Sequence, residues 1–230
     1  MPRHKLVKDP ANFHLQFDLK RTPPDLKLAL GVDIGTMTGI SFTYFDPSRA
    51  WLPGERPIYS GQLDLSVGDF DSGAIRYVRL RQFLTKIDPD LVVFEDAQYY
   101  TKENFGPKPT VHQVIARTAR PIELLGSLKA TLGTWCEERN VPCVGFSIQA
   151  IKKRATHHGN ANKEMVIQAA NDEFGSGLEV EDYDKTGVDN VADSLYCLVL
   201  GLEMYSQGFA VEPPPKSKRR IHDGKEAGAG

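Results

Sequence analysis

Leu28-Ala-Leu-Gly-Val-Asp33, the turn Ile34-Gly-Thr-Met-Thr38 and Gly39-Ile-Ser-Phe-Thr-Tyr-Phe45 together decide how this chain is read. Two apolar runs flank a short turn containing Gly and Thr, the pattern of paired strands. Ile58–Leu65 supplies a third strand after a Pro- and Gly-rich connection. Three strands in series predict an antiparallel meander. The first strand closes on a carboxylate, Asp33, and Gly35 and Gly39 flank the turn that follows.

Downstream the period changes. Ile75, Val78, Phe83, Leu84 and Ile87 share one helical face, and Asp88-Pro89-Asp90 stops that helix. Leu91-Val-Val-Phe-Glu-Asp96 is a near-continuous apolar run, as in a buried central strand. A long helix is expected over 110–139, broken or restarted at Pro121, a residue suited to a first helical turn. A strand at 141–147 and helices near 162–174 and 189–205 complete the folded part. The chain thus divides into a basic N-terminal arm (1–27), an α/β domain (28–210) and a tail (211–230). The tail is rich in Pro, Gly and Lys and is expected to be disordered. A meander followed by helix-linked strands predicts a mixed five-stranded sheet with helices on both faces. RNase H-like domains have this order, as do half-lobes of the sugar-kinase and actin group.

At 230 residues the chain suits one domain with terminal extensions. No apolar run approaches the roughly 20 residues that span a bilayer. The start, MPRHKLVKDPANFHLQ, lacks the apolar core of a signal peptide. A cytoplasmic, nucleoid-associated protein with no membrane partner is therefore expected. Cys136, Cys143 and Cys197 have no CxxC spacing, so neither a disulfide framework nor a zinc site is suggested. Cys143 and Cys197 lie in apolar segments and are expected in the core. A net charge of −2 argues against a nucleic-acid partner. Its distribution softens that argument, because basic residues gather in the arm, in Lys152-Lys153-Arg154 and in the tail.

The acids carry the chemistry. Asp33 ends the first strand and Glu95 ends the fourth, which should neighbour it. Asp189 and Asp193 stand four apart at the start of the last helix, hence on one face, and Asn190 faces the same way. If that helix sets its start over the strand ends, three or four carboxylates converge. Two like charges about 4 Å apart repel by roughly 4 kcal/mol at an effective dielectric near 20. Oxygen-rich clusters of this type hold Mg²⁺ or Mn²⁺. Two such ions can activate water and stabilise the leaving oxygen in phosphodiester cleavage. Singly, each Asp has an ordinary alternative as a turn former, a helix cap or a dipole partner. Glu95 has none so simple, since a charge closing the run Leu91–Phe94 needs a partner.

Four segments resemble the RuvC family of Holliday-junction resolvases, across residues 28–205. LGVDIGTMTGISF resembles the family's first strand and hairpin, VVFEDAQYY its fourth-strand motif, and DNVADSLYCLVLGL its final helix. VGFSIQAIKKRATHHGNANKEMV resembles the segment where relatives place DNA-contacting lysines. The resemblance implies an RNase H-like nuclease that cuts branched DNA (four-way junctions, possibly flaps or forks) in recombination, repair and replication. It maps the metal ligands, for Mg²⁺ or Mn²⁺ and two ions per site, onto Asp33, Glu95 and Asp193. DNA contacts fall on Lys152 and Lys163, with Lys153 and Arg154 beside them. Where many relatives carry Asp or His three residues before the final Asp, this chain has Asn190. Asp189 is the expected fourth ligand and Asn190 the alternative. Gln98 stands where some resolvases insert an aromatic, and Tyr99 and Tyr100 follow as candidate stacking residues. A homodimer is implied too, because symmetric cuts across a two-fold junction need two sites, and the helix around Ile122–Trp135 is the candidate interface.

Two rivals stand beside this reading. VDIGTMTG resembles the first phosphate loop of actin and sugar-kinase lobes, but the chain has no room for a second lobe and second loop. The other is a catalytically weak or inactive protein that binds branched DNA.

Overall fold

The computed structural model describes residues 4–7, 25–96, 111–181 and 183–206. Among them the strands are β1 (His4–Val7), β2 (Lys27–Asp33), β3 (Met37–Phe45), β4 (Ile58–Asp64), β5 (Leu91–Glu95) and β6 (Cys143–Phe146). Their spatial order is β1-β4-β3-β2-β5-β6. β2, β3 and β4 form the antiparallel meander, with Asp33 opposite Gly39 at its first turn. β5 and β6 then add in parallel beyond β2, each reached through a helix. That is the expected mixed five-stranded sheet. It gains a sixth strand from the N-terminal arm, since β1 pairs in parallel with β4, from His4↔Ile58 to Val7↔Gly61. Four residues are too few for an alternating pattern to stand out in a sequence.

The helices are α1 (Ile75–Ile87), α2 (Val111–Arg139), α3 (Ile148–Thr156), α4 (Lys163–Phe174), the single turn α5 (Tyr183–Thr186) and α6 (Val188–Ser206). Alternation along the strands sorts them into two layers. Leu28, Leu30 and Val32 of β2 face α1 and α2, meeting Leu80, Leu84, Leu128 and Leu132. Ala29 of β2, with Leu91 and Val93 of β5, faces α3, α4 and α6, meeting Ile151, Ile167, Leu195 and Leu198. The continuous apolar run of β5 is explained by this, because the strand is covered on both sides.

Three expectations change. α2 runs unbroken through Pro121, although that residue offers no N–H to the carbonyl one turn back. Trp135, placed by sequence on a dimer surface, is instead 1% exposed, and its indole Nε1 donates to Thr85 of α1 at 3.0 Å. Lys152, Lys153 and Arg154 belong to a helix of their own, α3, whose N-cap Ser147 accepts from the Ala150 amide at 3.3 Å.

The last helix, α6, is nearly all core and lies unusually close to the sheet. A Cβ on Gly39 would fall 1.9 Å from the Asn190 carbonyl oxygen, and one on Gly31 would fall 2.4 Å from that of Ser194. The hydroxyls of Ser41 and Ser194 share a buried hydrogen bond of 2.7 Å across the same interface. Only glycine permits this approach, because the obstructing atoms are backbone. Gly39→Ala is therefore expected to destabilise the fold by about 3 kcal/mol, read as a lower urea midpoint. Gly35→Ala, whose Cβ would meet nothing nearer than 3.5 Å, should shift the midpoint by less than about 0.5 kcal/mol. Equal midpoints for the two variants would refute the close-approach account.

Candidate metal centre

Parallel pairing of β2 with β5 brings two acids together. The register runs from Ala29↔Leu91 to Val32↔Phe94, so Asp33 and Glu95 are the next residues on adjacent strands, which lie about 4.8 Å apart. The turn after Asp33 is fixed locally. Thr38 Oγ1 donates to the Gly35 carbonyl at 2.6 Å, and the Leu65 amide donates to that of Thr36 at 2.7 Å. Asp193 arrives from α6, held over the strand ends by the close packing of that helix on Gly31 and Gly39. Asp33, Glu95 and Asp193 each offer a carboxylate oxygen within 4.8 Å of the others.

Burial sets the electrostatics. It pushes the Asp33 carboxyl well above the usual carboxylate range, and the charges of Glu95, Asp193 and Asp189 push the same way. Asp193 is pushed up to about 7, again first by burial and then by Glu95 and Asp189. Glu95 is raised by burial, while Lys129, Lys152 and Lys163 pull it back. Three half-buried carboxylates with oxygen donors only, each raised by burial and by neighbouring acids, are what a hard divalent cation satisfies. The donor set fits such an ion.

These acids line a cleft of about 820 Å³. Both helical layers contribute to it. Arg76 of α1 and Leu124 and Leu125 of α2 come from one, and Ile148 and Lys152 of α3, Lys163 of α4 and Asn190 of α6 from the other.

The fold is RuvC-like. A structure of Thermus thermophilus RuvC in complex with Holliday junction substrate superimposes with a TM-score of 0.53 at 16% sequence identity, covering 79% of this chain and 96% of that one. Another Thermus thermophilus RuvC structure gives a TM-score of 0.52 at 16% identity, with the same coverage. No protein-family model and no curated protein matches the chain.

The remaining sequence candidates divide. Asp189 is buried, and its carboxylate is held by the Lys163 ammonium, which also lies 5.7 Å from the centre of the Tyr183 ring. Lys163 is the first residue of α4, after the N-cap Asn162 that accepts from the Met165 amide at 2.9 Å. The Asn190 amide nitrogen donates to the Met37 carbonyl at 2.5 Å, so this side chain ties α6 to β3. Lys152 lines the cleft and Lys153 does not. Arg154 does not join the cleft either. Its guanidinium pairs with Glu173 at 2.8 Å and with Glu203 at 2.9 Å, and lies 5.9 Å from the Tyr196 ring centre. Three consecutive basic residues on a helix point around its circumference, so a run in the sequence cannot say which one reaches the site. Tyr99 and Tyr100 lie outside the described residues. Sequence reading missed Lys129, which pairs with Asp96 at 2.6 Å beside Glu95, and Arg76. Neither stands in a motif that could have drawn attention to it.

The raised Asp193 fixes a pH dependence for the metal-free protein. Its folded value, about 7, exceeds the ordinary 3.8, so the folded state holds the proton more tightly than the unfolded state. Stability from this group is complete below that ordinary value and is lost as pH rises through about 7. Asp193→Asn is neutral throughout. In chelator at about pH 8 its Tm should exceed the wild-type Tm by several degrees, and the gap should be clearly narrower by about pH 5. Equal Tm values at both pH settings would contradict the buried-charge account.

Proposed function

We propose that this chain is a structure-specific endodeoxyribonuclease that resolves Holliday junctions and related branched DNA by metal-dependent phosphodiester hydrolysis. One observation carries the reading: Asp33, Glu95 and Asp193 converge within 4.8 Å at the sheet end of a RuvC-like fold. Asp33, Glu95 and Asp193 would hold Mg²⁺ or Mn²⁺ there, proposed as two ions per site, and the chemistry so supplied would be activation of water and stabilisation of the leaving oxygen. Asp189, whose carboxylate is held by Lys163, is the proposed fourth carboxylate. Asn190, whose amide is spent on the Met37 carbonyl, serves as a tether.

The rest of the site handles the nucleic acid. Lys152 and Lys163 line the cleft beside the acids, which supports their proposed role in meeting backbone phosphates. Lys163 also pairs with the buried Asp189 carboxylate. Tyr99 and Tyr100 remain proposed stacking residues. The protein is proposed to act as a homodimer, one site per strand of a two-fold junction. Leu128, Leu132 and Trp135 of α2 are spent on the chain's own core. The opposite, exposed edge of that helix, with Ile122 38% exposed, is the part left for a partner copy.

Incubation with a four-way junction in Mg²⁺ tests the proposal. Wild type should cut and chelator should abolish cutting. Asp33→Asn, Glu95→Gln and Asp193→Asn should each lose cleavage by several orders of magnitude while still retarding the junction in a gel. Retardation by wild type without cleavage would favour a binding protein instead. Lys152→Ala should weaken binding and flatten its log-log salt dependence by about 0.9, the counterion released per phosphate contact. An unchanged slope would return Lys152 to a solvated helix face.

A further inference from the structure

α1 carries Arg76, Arg79 and Arg81, and their surroundings differ. Arg79 donates to the Asp71 carboxylate at 2.9 Å, and Arg81 to Glu138 at 2.6 Å. Arg76 makes no ion pair with any described carboxylate, although it lines the same cleft as Asp33 and Glu95. Its Nε is buried and has no hydrogen-bond partner among the described residues. A guanidinium cannot shed its proton to escape that position, since it stays charged at any ordinary pH. A buried donor without an acceptor is costly, so one left in a cleft points to a ligand that supplies the acceptor.

Position narrows the ligand. Lys152 and Lys163 enter the cleft from the α3–α4–α6 layer, and Lys163 is already engaged by Asp189. Arg76 enters from the other layer, across the ends of β2 and β5. A polyanionic strand laid over Asp33 and Glu95 would therefore meet cationic side chains on both walls. The planar fork of Nε and Nη matches two oxygens of one phosphate, which neither lysine can do.

We propose that Arg76 is a nucleic-acid-binding residue whose guanidinium takes a backbone phosphate of the strand to be cut, from the wall opposite Lys152. The proposal rests on the nuclease reading of the cleft. Arg76 acts on the strand and not on the metal, so it sets how firmly the phosphate backbone is held and leaves ion capture to the acids.

The intact protein, with Arg76→Ala and Arg76→Gln, is to be compared with wild type on one four-way junction. The salt dependence of binding should flatten by about 0.7–0.9 in log-log slope, because one phosphate is no longer neutralised. KM should rise about tenfold or more, with kcat within about twofold. The Tm, and Mn²⁺ binding measured without DNA, should match wild type. Arg76→Lys should restore most of the salt slope but little of the KM, because it returns the charge without the fork. If the two neutral variants fail to fold, Arg76→Lys carries the test through its KM alone. Wild-type salt slope and KM in the variants would overturn the phosphate-binding role while leaving a cutting wild type as a nuclease. Loss of Mn²⁺ binding in the absence of DNA would also overturn it, by placing Arg76 in support of the acids. A wild type that binds junctions with an Arg76-dependent slope but never cuts them would overturn the nuclease reading and keep the phosphate-binding role. A wild type that binds no junction would overturn both.

Discussion

The distance between α6 and the sheet governs everything else in this molecule. Asp33 and Glu95 are brought together by strand pairing alone, but two carboxylates on adjacent strand ends are a common and chemically idle arrangement. Asp193 makes the third, and it belongs to a helix that can reach the strand ends only by lying almost on the backbone of β2 and β3. Gly31 and Gly39 make that possible, since any side chain there would meet the carbonyls of Ser194 and Asn190. The Ser41–Ser194 hydrogen bond then satisfies two hydroxyls that are otherwise dry. A larger gap would loosen the core and disperse the acids in the same stroke.

Three converging carboxylates work against the fold that builds them. Burial raises all three, and Asp193 is carried into the neutral range. Lys129, Lys152 and Lys163 offset part of the repulsion from three different helices. The site is therefore kept assembled by packing on both faces of β2 and β5, and not by attraction among its own groups. A region that is unfavourable without a ligand and rigid in its frame is the usual state of a functional centre.

Most of the fold was legible because its signals are periodic or terminal. The meander around Asp33, the apolar run closed by Glu95 and the long final helix each announce themselves locally, and the carboxylate set followed from their order. What escaped was decided by direction and by distant neighbours. Arg154 looks like Lys152 in sequence, yet its partners, Glu173 and Glu203, lie on two other helices. Trp135 sits on a helix whose amphipathic pattern is weak enough that either face could have been taken for the outer one. Pro121 is a helix breaker by propensity, yet α2 runs through it. Arg76 is one of three arginines on α1, and only the structure separates it from its neighbours, which pair with Asp71 and Glu138.

Among the described residues, the sheet's two outermost strands, β1 and β6, are each four residues long. β1 covers the hydrogen-bonding edge of β4, which at seven residues would otherwise be a longer template. Edges this short offer little to a foreign strand, a common defence against adventitious β-pairing. Among the described residues, neither end of the sheet offers a long strand for continuous sheet extension. Loss of the His4–Val7 pairing would uncover the edge of β4 that this strand covers.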